Sequence, residues 1–96
     1  MLLEQLRQMK DPLNTLATHY GASHLRVFGS VARGEETSDS DVDFVVEFPR
    51  GYDLFLQRLP LTQQLADLLG RKVDLVPEHE LNPHIRQHVL REAVPL

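Results

Sequence analysis

Read from the N-terminus, apolar residues recur at helical spacing twice: Leu2, Leu3, Leu6 and Met9, then Leu13, Leu16, Ala17 and Tyr20. Asp11-Pro12 lies between the two sets and reads as an N-cap followed by a first-turn proline. Met1 to about Tyr20 is therefore predicted as one bent helix or two short ones, stopped by Gly21. Leu25–Phe28 reads as a short strand that Gly29-Ser30 ends abruptly, and Ser30-Val31-Ala32-Arg33 as the start of a short helix capped by Ser30. Gly34 to Ser40 is a polar loop. Asp41–Phe48 is the clearest strand, rich in β-branched and aromatic residues, and its centre, Phe44-Val45-Val46, suits a strand covered on both faces. After a turn at Pro49-Arg50-Gly51, a helical stripe of Leu54, Phe55, Leu65, Leu68 and Leu69 runs from about Tyr52 to Leu69. Pro60 must kink that stripe or start a new helix, and Gly70 caps it. Lys72–Val76 is a third strand, ended by Pro77. Asn82-Pro83 opens a last helix to about Ala93, with Ile85, Val89 and His88 turned inward. The order α-β-α-β-α-β-α predicts a small α/β sheet with helices packed on it.

A chain of 96 residues is expected to form one domain, residues 1–96, with a thin core that a partner or a second copy helps to stabilise. With 42% hydrophobic and 25% charged residues the composition is globular, not disordered. The absence of cysteine removes disulfide scaffolds, thiolate zinc sites and cysteine nucleophiles together. A net charge of −4 argues against a nucleic-acid partner, which is usually met by a basic surface. No apolar run reaches the ~20 residues a membrane span needs. MLLEQLRQMK lacks the apolar segment of a signal peptide, so a soluble cytoplasmic protein is expected.

Candidate chemistry concentrates in Gly29 to Asp43, GSVARGEETSDSDVD. In a strand Asp41 and Asp43 share a face, roughly 6–7 Å apart at the backbone. At an effective dielectric constant near 20 their repulsion is on the order of 2–3 kcal/mol, and a divalent cation such as Mg²⁺ is the natural compensation. The plainer reading is that both face water at the loop end. Gly29-Ser30 adds a second half. A glycine between strand and short helix admits close backbone approach, and the helix start with the Ser30 hydroxyl suits phosphate. A tight turn with a serine cap is the plainer reading there. Together, cradle and carboxylate pair describe a site for a nucleoside triphosphate. Gly29 to Gly34 has Walker-loop spacing, but Glu35-Glu36 stand where Lys-Ser/Thr is required. Asp39, Asp41 and Asp43 mimic an EF-hand start, but Phe44 and Arg50 occupy its glycine and glutamate positions. Asp74, between Val73 and Leu75, is the candidate third carboxylate, unless it simply faces solvent on an edge strand.

Gly29-Ser30-Val31-Ala32-Arg33-Gly34, Ser40-Asp41-Val42-Asp43 and Asp74 resemble the minimal nucleotidyltransferases of the DNA polymerase beta superfamily, whose pattern is G-S-x-A-R-G, S-D-x-D and a later Asp. Leu68–Val76 and Arg91-Glu92-Ala93-Val94 extend the match. The resemblance implies a mixed sheet flanked by helices. It implies Asp41, Asp43 and Asp74 as catalytic ligands of two Mg²⁺ ions, with Gly29 and Ser30 holding the triphosphate of ATP. It further implies a small helical partner of the HEPN class, toxin to this chain's antitoxin, and transfer of AMP to a partner tyrosine. Asp74 is then also a candidate to take the acceptor proton. Arg33 either reaches a phosphate or fixes the loop by pairing with an acidic neighbour. Val31 stands where many members carry Arg or Tyr, which puts one further contact in doubt. A non-catalytic antitoxin that neutralises its partner by contact is the competing reading.

Several features invite plainer explanations. His79, His84 and His88 are close in sequence, but with neither cysteine nor HExxH a zinc site is disfavoured and a partly exposed helix face expected. Glu35 and Glu36 are read as a solvated loop and Glu47 as facing the wetter side of the sheet. For Leu54, Phe55 and Leu56 buried packing is expected over an exposed partner patch.

Overall fold

In the computed structural model, which describes residues 2–96, the first apolar stretch is two helices, α1 (Leu2–Gln8) and α2 (Lys10–His19). The predicted start at Met1 lies outside the described residues. The break falls at Met9, two residues before the expected cap, and no side chain caps α2. Asp11 instead places its charge in the first turn. Pro12 sits there too, where its missing N–H has no intrahelical acceptor to lose.

The elements that follow are β1 (Ser23–Phe28), α3 (Ser30–Arg33), β2 (Val42–Glu47), α4 (Leu59–Leu69), β3 (Val73–Pro77), α5 (Pro83–Glu92) and β4 (Val94–Pro95). A π-helical turn, Leu54–Arg58, leads into α4, and a 3₁₀ turn, Glu78–Glu80, leads toward α5. Pro60 starts a new helix, near the N-terminus of α4, and Gly70 ends it in the left-handed conformation (φ 64°). Asn82 caps α5 by accepting from the His84 N–H at 2.9 Å. β4 was not predicted, because two residues carry no alternation to read; it is defined by pairing with β1 at Val27↔Val94 and Arg26↔Pro95.

The four strands form one mixed sheet in the order β3-β2-β1-β4. β2 runs parallel to β3 and antiparallel to β1, and β4 runs antiparallel to β1. β2 is central, with Val42, Phe44, Val45 and Val46 fully buried. Its two faces are unequal. Val42, Phe44 and Val46 join the large core made with Leu3, Leu6, Leu13, Ala17, Leu61 and Leu65 of α1, α2 and α4. Val45 joins a smaller cluster with Leu81 and Val89, backed by Leu90 and Ala93. By alternation, Asp43 and Asp74 share this second, thinly covered face with Val45 and Val76.

Two burial expectations fail. Phe55 and Leu56 are 74% and 73% exposed, and Leu54 also faces outward. The π-helical turn and the fresh start at Pro60 reset the helical phase, so Leu61 and Leu65 carry the core contact. Ile85 and His88 are exposed as well. α5 rests on the sheet near its C-terminal end, and only Val89 is buried. Among the described residues no helix is long and apolar enough to cross a membrane.

Candidate active site

The parallel ladder between β2 and β3 brings two predicted carboxylates side by side, since Asp43 is in register with Asp74. Asp43 is half-buried and Asp74 exposed. Burial pushes the Asp43 carboxyl above the usual carboxylate range, and the charges of Asp74 and Asp41 push it further. The nearby Arg33 guanidinium opposes this, while Glu92 adds to it. Asp41 stands one residue before β2, its Oδ2 3.9 Å from Lys72 Nζ. The loop that delivers it is tied down. The Thr37 N–H donates to Ser40 Oγ at 2.8 Å, and Arg71 Nη1 donates to the carbonyls of Thr37 at 3.0 Å and Ser40 at 3.3 Å. Arg71 carried no role in the sequence reading.

Phe28 pairs with Asp43 across β1 and β2, which puts Gly29 next to the carboxylates. Gly29 has φ 74° and ψ −151°, a conformation reserved for glycine. A Cβ built on it would collide with Asp43 Oδ2. Glycine is thus required here both by backbone conformation and by the space Asp43 occupies. The expected Ser30 cap is not formed. Gly29 is the N-cap residue, Ser30 is the first residue of α3, and no side chain caps this helix.

Arg33 meets the second of its two readings: it pairs with acidic neighbours. Nε contacts Glu35 Oε1 and Nη1 contacts Glu92 Oε1, both at 2.5 Å. Glu35 is therefore exposed but not idle, and Glu36 accepts from the Leu2 N–H at 3.3 Å. Glu92 is the residue without an assigned role in the sequence. Its Oε2 accepts from the Gly29 N–H at 2.9 Å, so that donor is not free. Burial alone pushes the Glu92 carboxyl up, but the Arg33 guanidinium and the Gly29 N–H outweigh it and hold it below the usual range. Its sequence signals are its place in Arg91-Glu92-Ala93-Val94, which extends the family match without giving Glu92 a role, and an acidic residue at the C-terminal end of a helix, where the macrodipole disfavours it.

The donor set suits a divalent cation. Asp41, Asp43 and Asp74 offer hard oxygen ligands, and their mutual repulsion at Asp43 is what a cation would relieve. In the present side-chain arrangement no three His, Asp or Glu groups among the described residues close into a metal cage. His84 and His88 both lie on the exposed face of α5.

Comparison with known proteins returns matches over most of the chain. A family model described as a nucleotidyltransferase domain matches residues 6–96. Protein adenylyltransferase MntA of Thermococcus cleftensis is 43% identical across 82% of this chain and 79% of that protein. A solved structure described as a minimal nucleotidyltransferase superposes with a TM-score of 0.85 at 47% identity, covering 98% of this chain and 95% of that one. A toxin-antitoxin crystal structure with AMP-PNP superposes with a TM-score of 0.72 at 26% identity, covering 84% of this chain and 66% of that one.

Proposed function

The chain belongs to the nucleotidyltransferase domain family, and from that premise we propose that it transfers AMP from ATP, with Mg²⁺, to a tyrosine hydroxyl of a HEPN-type helical partner, as the antitoxin of a toxin-antitoxin pair. The observation that carries this reading is the in-register Asp43–Asp74 pair beside the Gly29 turn, where burial and then the charges of Asp74 and Asp41 hold Asp43 above its ordinary titration range.

Asp41 and Asp43, with Asp74 for one of two ions, would hold Mg²⁺. When bound, the ions neutralise triphosphate charge and lower the acceptor's pKa. The rest falls to the chain's own residues. Gly29 leaves room for Asp43, and the Ser30 hydroxyl and the remaining Arg33 donors hold phosphate oxygens. The acceptor oxygen attacks the α-phosphorus in line. The bond from that phosphorus to the bridging oxygen of the β-phosphate breaks, and pyrophosphate leaves. Asp74, exposed on the outer strand, takes the acceptor proton.

A contact-only antitoxin is the second reading, favoured by the exposed row Leu54, Phe55, Leu56 and Leu59. One experiment separates the two. The protein is incubated with ATP labelled at the α-phosphate, Mg²⁺ and a candidate HEPN-type helical partner. Label that stays on the partner through denaturation, and is absent with Asp43→Ala, supports transfer. Complete neutralisation of the partner by Asp43→Ala, with no label on it, supports contact alone.

A further inference from the structure

We propose that Glu92 is a positioning residue for the nucleotide: from the end of α5 it grips both the Gly29 turn and the Arg33 guanidinium, and so sets the triphosphate-binding edge before ATP arrives. This rests on the reading that Ser30 and Arg33 hold the triphosphate at the Gly29 turn. The carboxylate is divided between two partners, Oε2 on the Gly29 N–H and Oε1 on Arg33 Nη1. The Glu92 side chain is 13% exposed and the Arg33 side chain 47%, so the carboxylate is largely covered while the guanidinium still reaches solvent. A neutral Gln would have accepted from Gly29 equally well. A full carboxylate at the helix end that disfavours it is matched by the Arg33 guanidinium.

The consequence is orientation. With Nη1 committed to Glu92 and Nε to Glu35, the guanidinium plane is fixed at two points. Gly29, the other group that Glu92 holds, lies directly against the Asp43 carboxylate, so the gripped turn stands beside the carboxylate edge. The remaining guanidinium donors are then already placed, and ATP binding need not order them. Glu92 also passes the chain directly into β4, which pairs with β1 just before Gly29. The last helix and the phosphate turn are thereby one mechanical unit.

The test measures Mg·ATP affinity by calorimetry, with KM and kcat from label transfer. Glu92→Ala is expected to weaken binding about tenfold or more and to raise KM alike, with kcat within about twofold. Glu92→Gln, which keeps an acceptor for the Gly29 N–H, recovers part of the loss. In an Arg33→Ala background, Glu92→Ala adds much less than it does alone. The inference is overturned if Glu92→Ala binds as the wild type or tighter, if kcat falls in place of affinity, or if the effect persists undiminished without Arg33. Should Glu92→Ala not fold, Glu92→Gln decides: binding weakened about threefold or more supports the role, and unchanged binding overturns it. A wild type that takes up no Mg·ATP overturns the proposed function itself, whereas uptake indifferent to Glu92 overturns only this inference.

Discussion

The two ends of the sheet use similar scaffolding for opposite displays. At one end, the chain between β1 and β2 is braced by hydrogen bonds to its backbone from Ser40 and Arg71, and it presents carboxylates and a guanidinium. At the other, the chain after β2 is braced by Asp53, whose Oδ1 accepts from the N–H groups of Phe55 and Leu56 at 2.9 Å, and by Gln57, which donates to the Tyr20 carbonyl at 3.0 Å. That second brace holds Leu54, Phe55 and Leu56 outward. Rigidity is common to both ends; what differs is the chemistry displayed. A charged edge with half-buried carboxylates fits a small polyanion carried with cations, while an apolar ridge fits another protein surface.

The largest expected effect breaks the charged end alone. Asp43→Ala should lower AMP transfer by about a thousandfold, on the order of 4 kcal/mol in the barrier. Its melting temperature and its capture of the partner should stay near wild type, since the ridge lies at the opposite end of β2. Loss of partner capture together with transfer would show that the ends are not independent. Next in size, Phe55→Ser with Leu56→Ser should weaken partner binding by roughly 2–4 kcal/mol, about thirtyfold to several hundredfold, if these exposed side chains are interface anchors. The same pair should change stability by less than about 0.5 kcal/mol each, as surface substitutions do, and should leave Mg·ATP binding intact. A pull-down that retains full binding would remove the ridge from the comparison.

Gly29→Ala is expected to cost roughly 1–3 kcal/mol of folding stability, because the left-handed conformation and the Asp43 carboxylate both oppose a side chain. Thermal unfolding measures it, and a variant as stable as wild type would mean that the turn relaxes freely.

Much of this was legible in the residues themselves. The run VDFVVE could be little else than a central strand, and Gly29, Asp41, Asp43 and Asp74 each stood out by chemistry set against an apolar context. What stayed hidden depended on phase and on distance along the chain. Leu54, Phe55 and Leu56 have the composition of a core helix, and only the π-helical turn before Pro60 rotates them outward. Ser30 looked like a cap because serine usually is one, yet the glycine before it takes that place. Glu92 gave almost no local signal, since its partners Gly29 and Arg33 lie some sixty positions earlier and meet it only once β4 has folded back onto β1.

The smallest expected effect sharpens the electrostatic side of the comparison. The folded-state pKa of Asp43 is raised above its unfolded value, so folding favours its protonated form. Its contribution to stability is fully present below the ordinary carboxylate range, about pH 4, and is lost as pH rises through the folded value. At neutral pH the wild type therefore carries a penalty that Asp43→Asn, which never ionises, does not. Glu92 has the opposite sign. Its pKa is depressed, so its contribution is present above the ordinary range and lost as pH falls through the folded value. Comparing Asp43→Asn with wild type at each pH removes most of the Glu92 contribution and leaves that of Asp43 and its coupled neighbours. The variant should melt higher at pH 7, and the gap should close as pH is lowered toward 4. Because solvent still reaches Asp43, the difference should be under about 1 kcal/mol, at most several degrees in Tm. Adding Mg²⁺ at pH 7 should raise the wild-type Tm and narrow the same gap, since a cation relieves the repulsion that the substitution removes. A wild type that already melts at or above Asp43→Asn at pH 7 without Mg²⁺ would mean that the three carboxylates do not strain one another, and the charged end would lose its reason to bind a cation.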